Sequence, residues 1–215
     1  MGTLFLINGL KNKPKKHLKV IKLKKQQRHM LKELSFPKNI SLIYGPPASG
    51  KTTLCLQKAS ETKGKIIFID TENTFNPERL LQINPEYNLD NIILIQPKSY
   101  SEQFTAIKNL LQIKNISLVI IDSFTRYYRR KAQEKIPITP PTIKQLQILR
   151  ELNTTILLTS QVYSKDNDYI PLASHLWKNF SKYTLKLTTE PRILKTKYKE
   201  IPFKITDKGL IISQQ

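Results

Sequence analysis

Residues 45–52 read GPPASGKT and follow the apolar run ISLIY at 40–44. A strand that runs into two glycines, a lysine and a hydroxyl residue, and then into the helical pattern KTTLCLQKAS (51–60), decides the fold. Gly45, Gly50, Lys51 and Thr52 satisfy G-x-x-x-x-G-K-[ST] without a mismatch. Glycines let main-chain N–H groups turn inward at a helix N-terminus, where their partial positive charge cradles phosphate oxygens. The candidate nucleotide contact is the whole loop: Gly45, Pro46, Pro47, Ala48, Ser49, Gly50, Lys51, Thr52 and Thr53. Pro46 and Pro47 stiffen it without removing a needed donor, provided the donors come from residues 48 to 53. Lys51 suits the β and γ phosphates, and the Thr52 hydroxyl suits Mg2+. The chain has no guanine-reading N-K-x-D, which points to ATP.

Outward from this loop, short apolar runs alternate with helical patterns. KIIFID (65–70), NIILIQ (91–96), ISLVIID (116–122) and TTILLTSQ (154–161) read as strands buried on both faces. NPERLLQI (76–83), SEQFTAIKNLLQI (101–113) and PPTIKQLQILRELN (140–153) read as helices. The second of these stripes Phe104, Ile107, Leu110 and Leu111; the third stripes Ile143, Leu146, Leu149 and Leu152. This alternation predicts an α/β fold, a mainly parallel sheet flanked by helices. After residue 175, YTLKL, PRILKTKY and IPFKIT predict an antiparallel hairpin extension. The expected organisation is a basic leader over 1–38 and one core over 39–215.

Strand ends beside a phosphate loop are where such sheets place ligands. Asp122, at the tip of SLVIID, suits a Mg2+-holding carboxylate; a simple strand-capping aspartate is the alternative. Asp70 and Glu72 follow the second strand. Glu72 has the longer reach and lies further out, so it is the candidate for polarising the attacking water. Gln161 ends TTILLTSQ, where its amide could contact water and γ-phosphate; an exposed polar end residue is equally compatible.

The charge is unusual. Thirty-six Lys and Arg against sixteen Asp and Glu give +20, which predicts attraction to polyanions, nucleic acid first. Ten of the basic residues crowd into 11–32 with no acid among them. That stretch suits either a flexible solubilising leader or a nucleic-acid-binding arm. A single cysteine, Cys55, excludes an intrachain disulfide or a multi-cysteine metal cluster. No apolar stretch approaches a bilayer span. A reduced, cytoplasmic setting is the expectation.

GPPASGKTTLCLQ, FIDTENTFNPERL, LVIIDSFTRYYR and ILLTSQVYS together resemble the RecA/Rad recombinase ATPase core over about residues 40–165. The short chain is most similar to the archaeal RadB branch of that family. The resemblance implies a RecA-like fold with ATP lying between adjacent subunits. It gives Lys51 and Thr52 the phosphate-loop roles, Glu72 that of the water-activating glutamate and Asp122 that of the Walker B aspartate. Gln161 takes the γ-phosphate-sensing position. The IDTE-x-TF-x-PER stretch is its most specific part. Departures are a lysine-rich leader in place of a glycine pair, a short segment after Gln161, and PLASHLW without glycines before His175. The implied activity is a DNA-binding ATPase assisting recombination and repair, with weak hydrolysis and limited strand exchange. The alternative is an ATP-liganded adaptor with negligible hydrolysis.

Among basic stretches, 125–135 stands out, combining Arg126, Arg129, Arg130 and Lys131 with Tyr127 and Tyr128. Charge neutralisation with base stacking suits single-stranded DNA. The competing arrangement has the tyrosines packed inward and the arginines on a solvated helix face. A third basic stretch contains Lys182, Lys186, Arg192, Lys195, Lys197 and Lys199. Expected partners are DNA, a full-length recombinase or other repair proteins, and further copies of the chain.

Overall fold

A computed structural model describes residues 34–213. The basic arm at 11–32 lies outside the described residues. The chain divides into two units, Met1–Ser35 and Phe36–Gln215. Phe36 meets the Tyr183 ring edge-on at 5.6 Å within the second unit.

The elements of that unit, in chain order, are β1 (Ile40–Tyr44), α1 (Lys51–Glu61), β2 (Lys65–Asp70), α2 (Pro77–Ile83), β3 (Ile92–Ile95), α3 (Tyr100–Asn109), β4 (Ile116–Asp122) and α4 (Arg126–Gln133). They continue with α5 (Thr139–Glu151), β5 (Thr155–Ser160), β6 (Val162–Lys165), β7 (Asp168–Pro171), α6 (Ser174–Phe180), β8 (Tyr183–Leu187), β9 (Ile193–Lys195), β10 (Glu200–Thr206) and β11 (Gly209–Ile212). Among the described residues, nine strands make one sheet in the order β11-β10-β9-β8-β1-β5-β4-β2-β3, and β6 pairs with β7 as a separate hairpin. From β8 to β3 every pairing is parallel. Beyond β8 the sheet continues antiparallel through β9, β10 and β11. The expected parallel sheet with an antiparallel C-terminal extension is thus present.

Central strands are mostly apolar because helices cover both faces. Ile40, Leu42, Ile67, Ile69, Val119, Ile121, Ile156 and Leu158 share one core with α3, α5 and α6. Asn76 caps α2 by accepting from the Arg79 N–H at 2.8 Å, and prolines open α5.

Three expectations need correction. YTLKL is not a hairpin arm alone: Ser41 lies in parallel register with Tyr183. The sequence reading had no helix between β7 and β8; α6 returns the chain so that β8 enters parallel to β1. The run at 91–96 is not buried on both faces, since β3 is the sheet edge and Ile93 and Leu94 are exposed. Finally, α3 stops at Asn109 and tightens into a 3-10 turn over Leu110–Gln112, which rotates Leu111 out to solvent while Leu110 stays buried.

Candidate nucleotide site

β1 lies between β5 and β8, and the loop after it turns over the C-terminal edge of the sheet. Two glycines are sterically required there. A Cβ at Gly45 would lie 2.2 Å from the Leu187 carbonyl oxygen. Gly50 has φ +99°, and its Cβ would stand 2.9 Å from Ile205 Cδ1. No side chain caps α1, so the N–H groups heading it are available to an anion. Lys51 folds back over the loop, its Nζ donating to the Gly45 and Pro46 carbonyls at 2.9 and 2.8 Å. Pro46 O also accepts from the Ser49 N–H, and Ala48 O from the Arg192 guanidinium at 3.0 Å. Burial pushes the Lys51 ammonium below its ordinary pKa, with Asp122 and Glu72 opposing. An incoming polyphosphate would reverse that penalty.

Asp122 is buried at the tip of β4. The Thr52 hydroxyl donates to its Oδ2 at 2.6 Å, and the Thr159 hydroxyl to its Oδ1. Burial raises its pKa, the Thr159 and Thr52 hydrogen bonds lower it, and the Glu72 carboxylate adds to the rise. Asp70, the register partner of Asp122 on β2, serves the backbone instead. It accepts from the N–H groups of Glu72, Thr74 and Phe75 at 3.2, 3.1 and 2.9 Å, and from Gln96 Nε2 at 3.3 Å. This tight turn carries Glu72 out of the sheet. There Gln161 Nε2 donates to Glu72 Oε1 at 2.8 Å, bringing the tips of β2 and β5 together. Gln161 is itself pinned by its N–H donating to Thr125 Oγ1 at 2.9 Å.

The donor set fits a magnesium-bound triphosphate. It offers helix-head amides, an ammonium, and a hydroxyl beside a carboxylate; Ser49 Oγ and Gln161 Oε1 are buried without a protein partner. Among the described residues no three His, Cys, Asp or Glu could hold a metal unaided. An ion beside Thr52 and Asp122 would therefore take most of its oxygens from phosphate and water.

The basic stretch 126–131 forms α4, and its residues separate. Tyr127 is buried, its hydroxyl donating to Pro97 O at 2.6 Å, so the expected stacking role is not open to it. Tyr128 is half-buried against the core. Arg126 donates to the Thr71 carbonyl. Arg129 and Arg130 are exposed, and Lys131 pairs with Glu134 at 2.8 Å. A helix starting directly after the β4 tip must bury one face on the sheet, and that face takes the tyrosines. In the third basic stretch Lys186 pairs with Asp168, and Lys195 with Glu200 at 2.8 Å.

Sequence reasoning missed Thr159, Thr125, Thr71 and Arg192. Thr159 alternates with Gln161 along β5, a period-two signal that could have placed it beside Asp122. Arg192 was read only as part of a basic stretch, and nothing local signalled its bond to Ala48, which lies far away in the chain.

The Rad51 family model matches residues 24–175. The chain belongs to the Rad51 family. Among curated proteins it is similar to the DNA repair and recombination protein RadB of Thermococcus sibiricus, at 34% identity over 80% of this chain and 85% of that one. The RadB of Pyrococcus furiosus is 33% identical over 78% and 84%. Among solved structures, the crystal structure of the RadB recombinase superposes with a TM-score of 0.70 at 29% identity, covering 86% of this chain and 96% of that one. Rad51-family proteins bind ATP with Mg2+ and are ATPases. The parallel sheet and its antiparallel extension are the RecA-like fold of this family. No helix among the described residues is long and apolar enough to cross a membrane.

Proposed function

We propose that this chain is a RecA-like, DNA-binding ATPase that assists homologous recombination and repair, with ATP held by residues 45–53. One observation carries the reading. Lys51, Thr52, Asp122, Glu72 and Gln161 come from four separate segments and meet at one edge of the sheet through the 2.6 Å Thr52–Asp122 and 2.8 Å Glu72–Gln161 hydrogen bonds. The names of the RadB relatives and the +20 charge support the DNA part of it.

In this reading the loop amides and Lys51 bind the phosphates, Lys51 exchanging its two carbonyl partners for phosphate oxygens. Thr52 and Asp122 would hold Mg2+, which supplies charge neutralisation at the transferring phosphoryl group. Glu72 accepts a hydrogen bond from the attacking water and aims it. Gln161, already on Glu72, keeps its Oε1 for that water and reports the state of the γ-phosphate to β6–β7, which begins at the next residue. The exposed Arg129 and Arg130 supply backbone contacts to single-stranded DNA. Further copies of the chain, a full-length recombinase or other repair proteins are the proposed protein partners.

ATP turnover with and without single-stranded DNA tests this. Lys51→Ala lowers turnover by about 10²-fold or more, as loss of a preorganised transition-state donor does. Robust turnover in that variant overturns the assignment. A second reading, an ATP-liganded adaptor with negligible hydrolysis, is favoured by the Gln161 bond that engages the Glu72 carboxylate. Equal DNA binding and equal, near-zero turnover in wild type and Glu72→Gln would select it.

A further inference from the structure

Thr71, the residue between Asp70 and Glu72, is fastened on all its polar groups by the segment after β4. Its N–H donates to Asp122 O at 2.9 Å. Its hydroxyl accepts from the Ser123 N–H at 3.0 Å and donates to Ser123 O at 2.8 Å. Its carbonyl accepts from the Arg126 guanidinium, the first residue of α4. Three of these four bonds come from backbone that the sheet fixes. The fourth is made by a charged side chain that leaves the surface to reach it, also lying against the Tyr127 ring at 5.7 Å.

We infer that Arg126 is a positioning residue for Glu72, holding the peptide that bears it through the Thr71 carbonyl. This rests on the reading of Glu72 as the water-aiming carboxylate. The Thr71 carbonyl belongs to the same peptide unit as the Glu72 N–H, and that N–H bonds Asp70 Oδ1 at 3.2 Å. Asp70 and Arg126 therefore grip one peptide plane from opposite ends. Rotation of that plane would swing the Glu72 side chain away from Gln161. A cation on the carbonyl also polarises the peptide and strengthens its N–H as a donor to Asp70. Arg126 thereby separates from its neighbours in function: Arg129 and Arg130 are exposed further along the helix, whereas the half-buried Arg126, its first residue, is engaged by the Thr71 carbonyl.

The test compares full-length wild type with Arg126→Ala and Arg126→Lys. Three quantities are measured: affinity for a fluorescent non-hydrolysable ATP analogue, kcat and KM for ATP, and amide hydrogen exchange across residues 71–75. Arg126→Ala is expected to lower kcat by about 10- to 10²-fold through misplacement of Glu72, with analogue affinity and KM essentially unchanged. Exchange at Glu72, Thr74 and Phe75 is expected to rise about 10-fold, while the β4 amides keep their protection. Arg126→Lys, which can still donate to Thr71, should restore most of both effects. Unchanged exchange at 72–75, or kcat equal to wild type where turnover is measurable, overturns the proposal. So does a loss confined to DNA affinity, which would make Arg126 a phosphate contact. If wild type shows no turnover, the ATPase reading fails by itself, and exchange in the two variants still decides the role of Arg126.

Discussion

Thr159→Val probes the buried carboxylate on which the magnesium position depends. Thr159 is wholly buried and Val has nearly its shape, so the change removes one hydroxyl donor from Asp122 without opening a cavity. A hydrogen bond to a charged group contributes about 1.5–3 kcal/mol, against about 0.5–1.5 between neutral groups. Asp122 already carries a raised pKa, burial being the main cause. Its folded-state value thus lies above its unfolded value. The folded protein keeps a proton that the unfolded chain has lost, so stability present at low pH is lost as pH rises through the folded pKa. Removing Thr159 as donor raises that pKa further and widens the window. The destabilisation is therefore largest at neutral pH, about 2 kcal/mol, and shrinks toward the neutral-bond value as Asp122 protonates. For a chain of this size, about 2 kcal/mol corresponds to roughly 4–8 °C in Tm. Urea unfolding of nucleotide-free protein, from below the ordinary carboxylate range up to pH 8, measures it. A destabilisation independent of pH, or no destabilisation at pH 8, would refute the account of Asp122 as a strained, hydroxyl-solvated carboxylate.

The other predictions are more compact. Asp122→Asn removes the buried charge, so the nucleotide-free protein should gain stability at pH 8 while the extra stabilisation from Mg2+ with ATP disappears; thermal shift with and without Mg2+ reads both. Tyr127→Phe deletes the hydrogen bond to Pro97 O and should cost about 0.5–1.5 kcal/mol in stability while leaving affinity for single-stranded DNA unchanged. A drop in DNA affinity would return Tyr127 to the interface. Arg129→Ala with Arg130→Ala should flatten the salt dependence of DNA binding, each lost phosphate contact reducing the log–log slope by about 0.7. Gly50→Ala should destabilise the loop, first because L side chains rarely adopt φ +99° and second, to a smaller degree, because the movable Ile205 Cδ1 stands 2.9 Å away. Trimming Ile205 to Ala should relieve only the second penalty.

How far the sequence could be read follows from how local each signal is. The phosphate loop was legible because its glycines, lysine and threonine are contiguous and flanked by a strand and a helix. Asp122, Glu72 and Gln161 were legible because each ends or closely follows an apolar run, and in a parallel sheet all such ends point the same way. The choice between Asp70 and Glu72 rested on reach. The structure supplies a stronger reason, since Asp70 is occupied by three backbone N–H groups. Tyr127 misled because composition records that a residue is aromatic and basic residues flank it, but not which way a helix faces. The parallel entry of β8 was hidden for a related reason: SHLWKNF is a short helix with little periodicity. What anchors it is tertiary, Trp177 meeting Phe124 edge-on at 5.8 Å and donating to Leu172 O at 2.7 Å.

The antiparallel extension, which looked like an appendage in the sequence, braces the phosphate loop. The Leu187 carbonyl closes against Gly45, Ile205 against Gly50, and Arg192 holds the Ala48 carbonyl. Behind the loop, the buried Gln57 of α1 accepts from the Leu210 N–H at 2.8 Å, and Arg79 at the start of α2 donates to the carbonyls of Thr206 and Asp207. A loop whose amides must converge on phosphate loses affinity to every conformation it can otherwise adopt. Fixing it from outside with a sheet extension removes that cost before nucleotide arrives. Gln57→Ala leaves the Leu210 N–H without its side-chain acceptor, costing about 1–3 kcal/mol. If the bracing argument holds, that variant also binds ATP more weakly, although Gln57 touches no residue proposed to meet nucleotide. Unchanged affinity beside the expected loss of stability would make the extension a scaffold with no part in binding.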